Sequence, residues 1–204
     1  MSLANARKIG CNWIALNVRW FQDDVNSTLI EPDSCCSSTR ESVIHAIEKC
    51  HELGMKVMLK PMVECRDETW RGKINPSSAW FTSYQIFINY WADVAESHNV
   101  ELFCIGCEYA NTTRVEWSSS WKNVIKNIRD HNDPNHYTGP LIYAANKDEE
   151  KNIDWWGELD YIGIDAYYSL TDANDPTLAQ LEAAWEANAI NIEAWRKSHW
   201  PNMQ

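Results

Sequence analysis

Val100-Glu101-Leu102-Phe103-Cys104-Ile105-Gly106-Cys107-Glu108 is the stretch that decides the fold. Its short apolar run reads as a buried strand. Its last residue, Glu108, is a carboxylate, costly to bury unless it is paired, solvated in a cleft, or used in chemistry. In a barrel of parallel strands the C-terminal strand ends carry the chemistry. Glu108 therefore holds a functional position if the rest of the chain alternates strand and helix.

The flanking sequence alternates in that way. Strand signals run over Cys11–Trp20, Lys56–Val63, Leu141–Ala145 and Tyr161–Tyr168 on either side of the quoted stretch. Between them lie helical periods. Ser38-Thr39-Arg40-Glu41 reads as a capping box ahead of Val43, Ile44, Ile47, Cys50 and Leu53, and Gly54 stops that helix. Trp80–Ser97, Trp117–Arg129 and Leu178–Trp195 repeat the pattern, the last with Leu181, Ala184, Trp185 and Ile192 expected inside. Strand–helix alternation implies a parallel sheet in one α/β domain spanning residues 1–204. No strand is followed by a Gly-rich phosphate loop, which removes the main support for a nucleotide-binding fold.

The strand ends are polar where the strand starts are apolar. Arg19 and Trp20 end the first strand, Lys60 and Glu64 the second, Glu108 the third, Asn146 the fourth, and Asp165 and Tyr167 the fifth. Strict alternation puts Cys104, Gly106 and Glu108 on one face of the third strand, and Gly163, Asp165 and Tyr167 on one face of the fifth. Each residue alone is better explained by structure, Arg19 as a partner for Glu64 or Asp165, for example. Together on one rim they predict a polar cleft.

Composition narrows the ligand. The chain carries 18 Lys and Arg against 29 Asp and Glu, a net charge of -11, which argues against nucleic acid and anionic membranes as partners. No run approaches transmembrane length. Twelve Trp are many for one domain. Most are expected in the core, with about a quarter to a third lining a cleft, where indoles stack on sugar faces. Of the seven Cys, Cys35, Cys36 and Cys65 lie in polar segments open to disulfide formation. Cys104-Ile105-Gly106-Cys107 matches C-x-x-C, but on a regular strand positions i and i+3 face opposite ways, so no redox or metal site is expected there. The sequons at Asn26 and Asn111 add slight weight to secretion, and residues 1–8 do not form a signal peptide.

Asn12-Trp13-Ile14-Ala15-Leu16, Lys60-Pro61, Trp70-Arg71-Gly72-Lys73-Ile74, Trp80-Phe81, Ile105-Gly106-Cys107-Glu108, Tyr143-Ala144-Ala145-Asn146 and Leu159–Tyr167, in that order, resemble glycoside hydrolase family 113. The resemblance implies a (β/α)8 TIM barrel, incomplete here, with the five strands as barrel strands two to six. It implies a retaining glycosidase with two glutamates and no cofactor or metal, acting on a polysaccharide or oligosaccharide such as β-1,4-mannan. Glu108 corresponds to the general acid/base, and the nucleophile is expected beyond Gln204. Arg19, Trp20, Lys60, Trp70, Asn146, Asp165 and Tyr167 are the expected substrate contacts. A monomeric, secreted parent protein is expected. A non-catalytic carbohydrate-binding barrel, or the same barrel acting on another β-glycan, are the alternatives.

Overall fold

The structure, a computed structural model, describes residues 2–130, 132 and 136–204. Five strands form one sheet: β1 (Trp13–Gln22), β2 (Lys56–Cys65), β3 (Leu102–Cys107), β4 (Leu141–Asn146) and β5 (Tyr161–Asp165). The sheet order is β1-β2-β3-β4-β5, and every neighbouring pair is parallel. Spatial order equal to chain order is winding in one direction, the rule of a barrel; a doubly wound sheet reverses its order partway. The sheet is an arc of a (β/α)8 barrel.

The helices are α1 (Leu3–Lys8), α2 (Arg40–Glu52), α3 (Ser78–Ser97), α4 (Ser118–Ile128) and α5 (Leu178–His199). Thr39 caps α2 by accepting from the Ser42 N–H, one residue later than the Ser38 box predicts. The side chains of Ser77 and Thr177 cap α3 and α5. α3 buries Trp80, Phe81, Tyr84, Phe87, Ile88 and Trp91 against the outer face of the sheet. α5 has no fully buried residue, and Trp185, expected inside, is exposed. Its helical spacing is correct, but it packs against too little sheet to cover an apolar face.

Two apolar clusters separate the layers. The larger lies between sheet and helices and includes Trp80, Trp91, Trp121, Trp155 and Trp156. The smaller, Met62, Cys104, Cys107 and Ala144 with Met58 and Ile142, lines the barrel interior. That interior set identifies the inward residues of each strand. Asn17 pairs with Lys60, Arg19 with Met62, Phe21 with Glu64, and Asn146 with Asp165, so these share the interior face. Trp20 has the opposite parity. Its ring packs on Phe87 and Tyr90 of α3 at 5.4 and 5.3 Å, so it is a wall of the helix layer and not of the cleft.

β3 breaks the alternation. The register shifts between Cys104 and Cys107, and both thiols lie in the interior cluster. The expectation that they diverge is therefore wrong, because it assumed an unbroken strand. Gly106 faces outward instead: a Cβ there would lie 2.8 Å from the Tyr143 ring and 3.0 Å from Tyr109 and Tyr84. At the sheet's outer edges, Phe21 exchanges two hydrogen bonds with Glu31, and the Ile162 N–H donates to the Gln204 carbonyl.

Candidate active site

Glu108 follows β3 directly, with a left-handed φ of 56°. That conformation is uncommon for a residue with a Cβ and persists where neighbours hold it. Here β4 holds it: the Glu108 N–H donates to the Ala144 carbonyl at 2.8 Å, and the Tyr109 N–H to the Tyr143 hydroxyl at 2.7 Å. The left-handed step ends the strand and turns the carboxylate toward the loop after β2.

That loop supplies the cation. Arg71 opens a single 3-10 turn, Arg71–Lys73. Its Nη1 donates to Glu108 Oε2 at 2.8 Å and its Nη2 to Glu64 Oε1 at 2.5 Å, so one guanidinium joins the two strand-end carboxylates. Burial works against the Arg71 charge, and the two glutamates outweigh it and raise the guanidinium above its usual range. The Trp70 indole N–H also reaches Glu108 Oε2, at 3.4 Å. Its ring lies across Gly72, where a Cβ would come within 2.3 Å of the indole. The Gly72 carbonyl accepts from the Asn111 N–H, tying this loop to the one after Glu108.

A second pair lies beside the first. Lys60 Nζ donates to both oxygens of Asp165, at 3.0 and 3.2 Å, joining β2 to β5 across the interior. Burial lowers the Lys60 ammonium, but Cys107, Cys104 and Asp165 together outweigh it and hold it above its ordinary value. The Cys107 thiol contacts Asp165 Oδ2 at 3.3 Å. Burial pushes the Cys104 thiol up to about 11 and Cys107 higher still, so neither is a nucleophile at neutral pH. Ligand atoms of Cys107, Glu108 and Asp165 lie within 4.8 Å of one another. Lys60 and Arg71 already occupy the two carboxylates, which disfavours a divalent ion there.

Of the sequence-predicted residues, Glu108, Lys60, Asp165 and Trp70 come together. Arg19 lies on the same rim, its guanidinium 5.9 Å over the Phe21 ring, in a cleft of about 500 Å³ shared with Asp33, Cys36, Glu64 and Arg66. Asn146 faces the interior, its side chain accepting from the Lys147 N–H. Tyr167 does not join them. β5 ends at Asp165, whose carbonyl accepts from the Tyr167 N–H, and Tyr167 is 79% exposed.

Three residues were missed. Arg71 stood in a recognised motif without a role. Tyr143 and Glu149 form a buried chain behind Glu108. Glu149 accepts from the Tyr143 hydroxyl at 2.7 Å, the Thr113 hydroxyl at 2.9 Å and the Asn146 N–H at 2.7 Å. Thr113 is the third residue of the Asn111 sequon and is fully buried. Glu150, next to Glu149 in the chain, is buried too, with Oε2 unpaired.

Burial raises the Glu150 carboxyl, and it is only weakly offset by its own backbone and Lys151. A carboxyl raised in the folded state supports folding below its unfolded value, about 4.5, and that support is lost as pH rises through the folded value. Glu150→Gln is therefore expected to gain on the wild type in melting temperature as pH rises from 4 to 7, by about 1 kcal/mol of stability at neutral pH. Parallel wild-type and variant melting curves across that range would refute this.

A parallel arc with its charged groups gathered at the C-terminal strand ends has the layout in which (β/α)8-barrel enzymes place their active sites. The chain belongs to glycoside hydrolase family 113: residues 1–199 match that family. A solved GH113 β-1,4-mannanase superposes with a TM-score of 0.82 at 27% identity, covering 96% of this chain and 61% of that one. The GH113 β-mannanase AaManA from Alicyclobacillus acidocaldarius, in complex with ManMIm, gives 0.79 at 25% identity, covering 98% and 62%. The chain thus spans under two thirds of the length of these enzymes. A fungal β-1,4-galactanase structure, 11% identical with a TM-score of 0.56, shares the fold. No curated protein sequence matches the chain.

Proposed function

We propose that the full-length protein is a retaining glycoside hydrolase acting on a β-linked polysaccharide, β-1,4-mannan first, with Glu108 as general acid/base. The observation that carries this is the position of Glu108: it follows a barrel strand, in a left-handed turn, bonded to Arg71 and Trp70. The solved relatives named β-mannanases support the substrate.

Retaining hydrolysis needs two carboxylates about 5 Å apart, one attacking the anomeric carbon, the other protonating the leaving oxygen and then activating water. Glu108 takes the second role. Arg71 pairs with its carboxylate form, the form needed when water attacks. Glu64 is tied to the same guanidinium and Asp165 to Lys60, so neither is free to attack. The reading assigns the nucleophile to a further barrel strand of the full-length protein. Trp70, 41% exposed beside Glu108, offers a flat apolar face for a sugar ring. Lys60, Asp165, Asn146 and Arg19 offer the polar groups that bind hydroxyls.

The test is product analysis by the full-length protein on β-mannan, β-galactan and β-glucan, with the first-formed anomer followed by NMR. Mannan cleaved fastest, with the β-anomer appearing first, is the expected result. Preference for another glycan would overturn the substrate, and the α-anomer first would overturn retention. Sugar binding without hydrolysis would make the protein a carbohydrate-binding barrel.

A further inference from the structure

We propose that Glu149 is a positioning residue for Glu108, acting through the Tyr143 hydroxyl on the Glu108–Tyr109 peptide; the proposal rests on the acid/base reading of Glu108. Glu149 is 5% exposed, so it does not meet substrate. It lies just after β4, in the turn Glu149–Asn152, and its side chain folds back against the strand end.

The direction of each hydrogen bond fixes the arrangement. All three partners of Glu149 are donors: the Tyr143 and Thr113 hydroxyls and the Asn146 N–H. The ionised carboxylate satisfies all of them. A protonated one would have to give its hydrogen to one of the two hydroxyls, which would then turn its own hydrogen away from Glu149. Burial favours the neutral form and raises the carboxyl, while the Asn146, Tyr143 and Thr113 hydrogen bonds oppose that and the Glu108 charge adds to it.

Because Tyr143 donates its hydrogen to Glu149, its oxygen is left to accept. It accepts from the Tyr109 N–H at 2.7 Å. Glu149 thereby sets the hydroxyl rotor that holds the peptide after Glu108. The Ala144 carbonyl holds the N–H of Glu108 itself. The left-handed step at Glu108 is thus fixed on both sides from β4, and one of the two clamps depends on Glu149. The same carboxylate holds Thr113, so both ends of the segment 108–113 are tied to one buried anion.

The experiment uses the full-length protein with Glu149→Gln, Tyr143→Phe and Tyr137→Phe. The last is a matched control: it also deletes one buried tyrosine hydroxyl, from a 2.7 Å bond to the Val100 carbonyl ahead of β3. Misplacing a reacting group by about an ångström costs on the order of 100-fold. Glu149→Gln and Tyr143→Phe are expected to lower kcat on the cleaved glycan by about 10- to 100-fold, with KM within about twofold. Tyr137→Phe should leave kcat at the wild-type value. Wild-type kcat in folded Tyr143→Phe, or an equal loss in Tyr137→Phe, would overturn the proposal. Hydrogen exchange at the Tyr109 amide is a readout separate from activity. Faster exchange in Glu149→Gln and Tyr143→Phe, with Tyr137→Phe unchanged, is expected; unchanged exchange in both site variants would overturn the proposal. If the wild type cleaves no glycan, the functional reading fails by itself, and the exchange measurement still decides whether Glu149 fixes this peptide.

Discussion

Glu108→Gln in the full-length protein is expected to lower kcat on β-mannan by about 10²- to 10⁴-fold, the range a positioned general acid–base contributes. Gln keeps an oxygen that can accept from Arg71, so the geometry of the cleft survives while the exchangeable proton is lost. The variant's deficit should depend on the leaving group. A mannan leaving group needs a proton as the glycosidic bond breaks. An aryl mannoside with an acidic phenol does not, so its first step should suffer much less and the glycosyl-enzyme should accumulate. Stability should change by about 1 kcal/mol or less, because Arg71 retains Glu64 and the pair lost is partly exposed. Equal turnover of mannan by both proteins would remove Glu108 from the chemistry.

The fold was legible because a barrel strand is apolar on both faces. β2 to β4 read as short apolar runs, and the few charges toward or just past their C-terminal ends, Lys60, Glu64 and Glu108, stand out against that background. Those charges, with Asp165 on β5, are the ones the structure brings together. The sidedness of single residues was less legible. Trp20 and Arg19 are adjacent at a strand end, and the register with Met62 puts only Arg19 inside. The β3 irregularity moves Cys104 and Cys107 onto one face, and nothing in Cys-Ile-Gly-Cys announces it except the Gly that three tyrosines crowd.

Glu149 was hidden for a different reason. It sits in Lys147-Asp148-Glu149-Glu150-Lys151, which has the composition of a solvated loop. Its burial follows from Tyr143 and Thr113, donors from two other segments, and such long-range compensation leaves no local pattern. Arg71 is similar. It is seven residues from Glu64 and 37 from Glu108, and only the fold shows that it serves both.

Arg71→Ala is the variant expected to destabilise most. Removing one partner of a buried ion pair costs about 3–5 kcal/mol. Here Arg71, Glu64 and Glu108 retain side-chain exposures of 16%, 21% and 12%, so water screens part of that. A loss of about 2–4 kcal/mol is expected, or roughly 5–15 °C in melting temperature for a domain of this size. The loss has two sources: two carboxylates give up charge-assisted hydrogen bonds, and they then face each other with no cation between them. Arg71→Lys should recover only part, since one ammonium cannot reproduce the guanidinium fork. A variant of matched bulk separates this from a simple packing defect. The raised Arg71 group stays charged throughout the working range, because stability from a raised base is lost only as pH climbs through its folded value, far above neutrality. Arg71→Met keeps most of the side chain's bulk and removes its charge and its fork of donors. It should lose nearly as much melting temperature as Arg71→Ala. A methionine variant as stable as the wild type would mean that Arg71 supports the cleft by its bulk, and that the link between Glu64 and Glu108 carries little of the site's electrostatics.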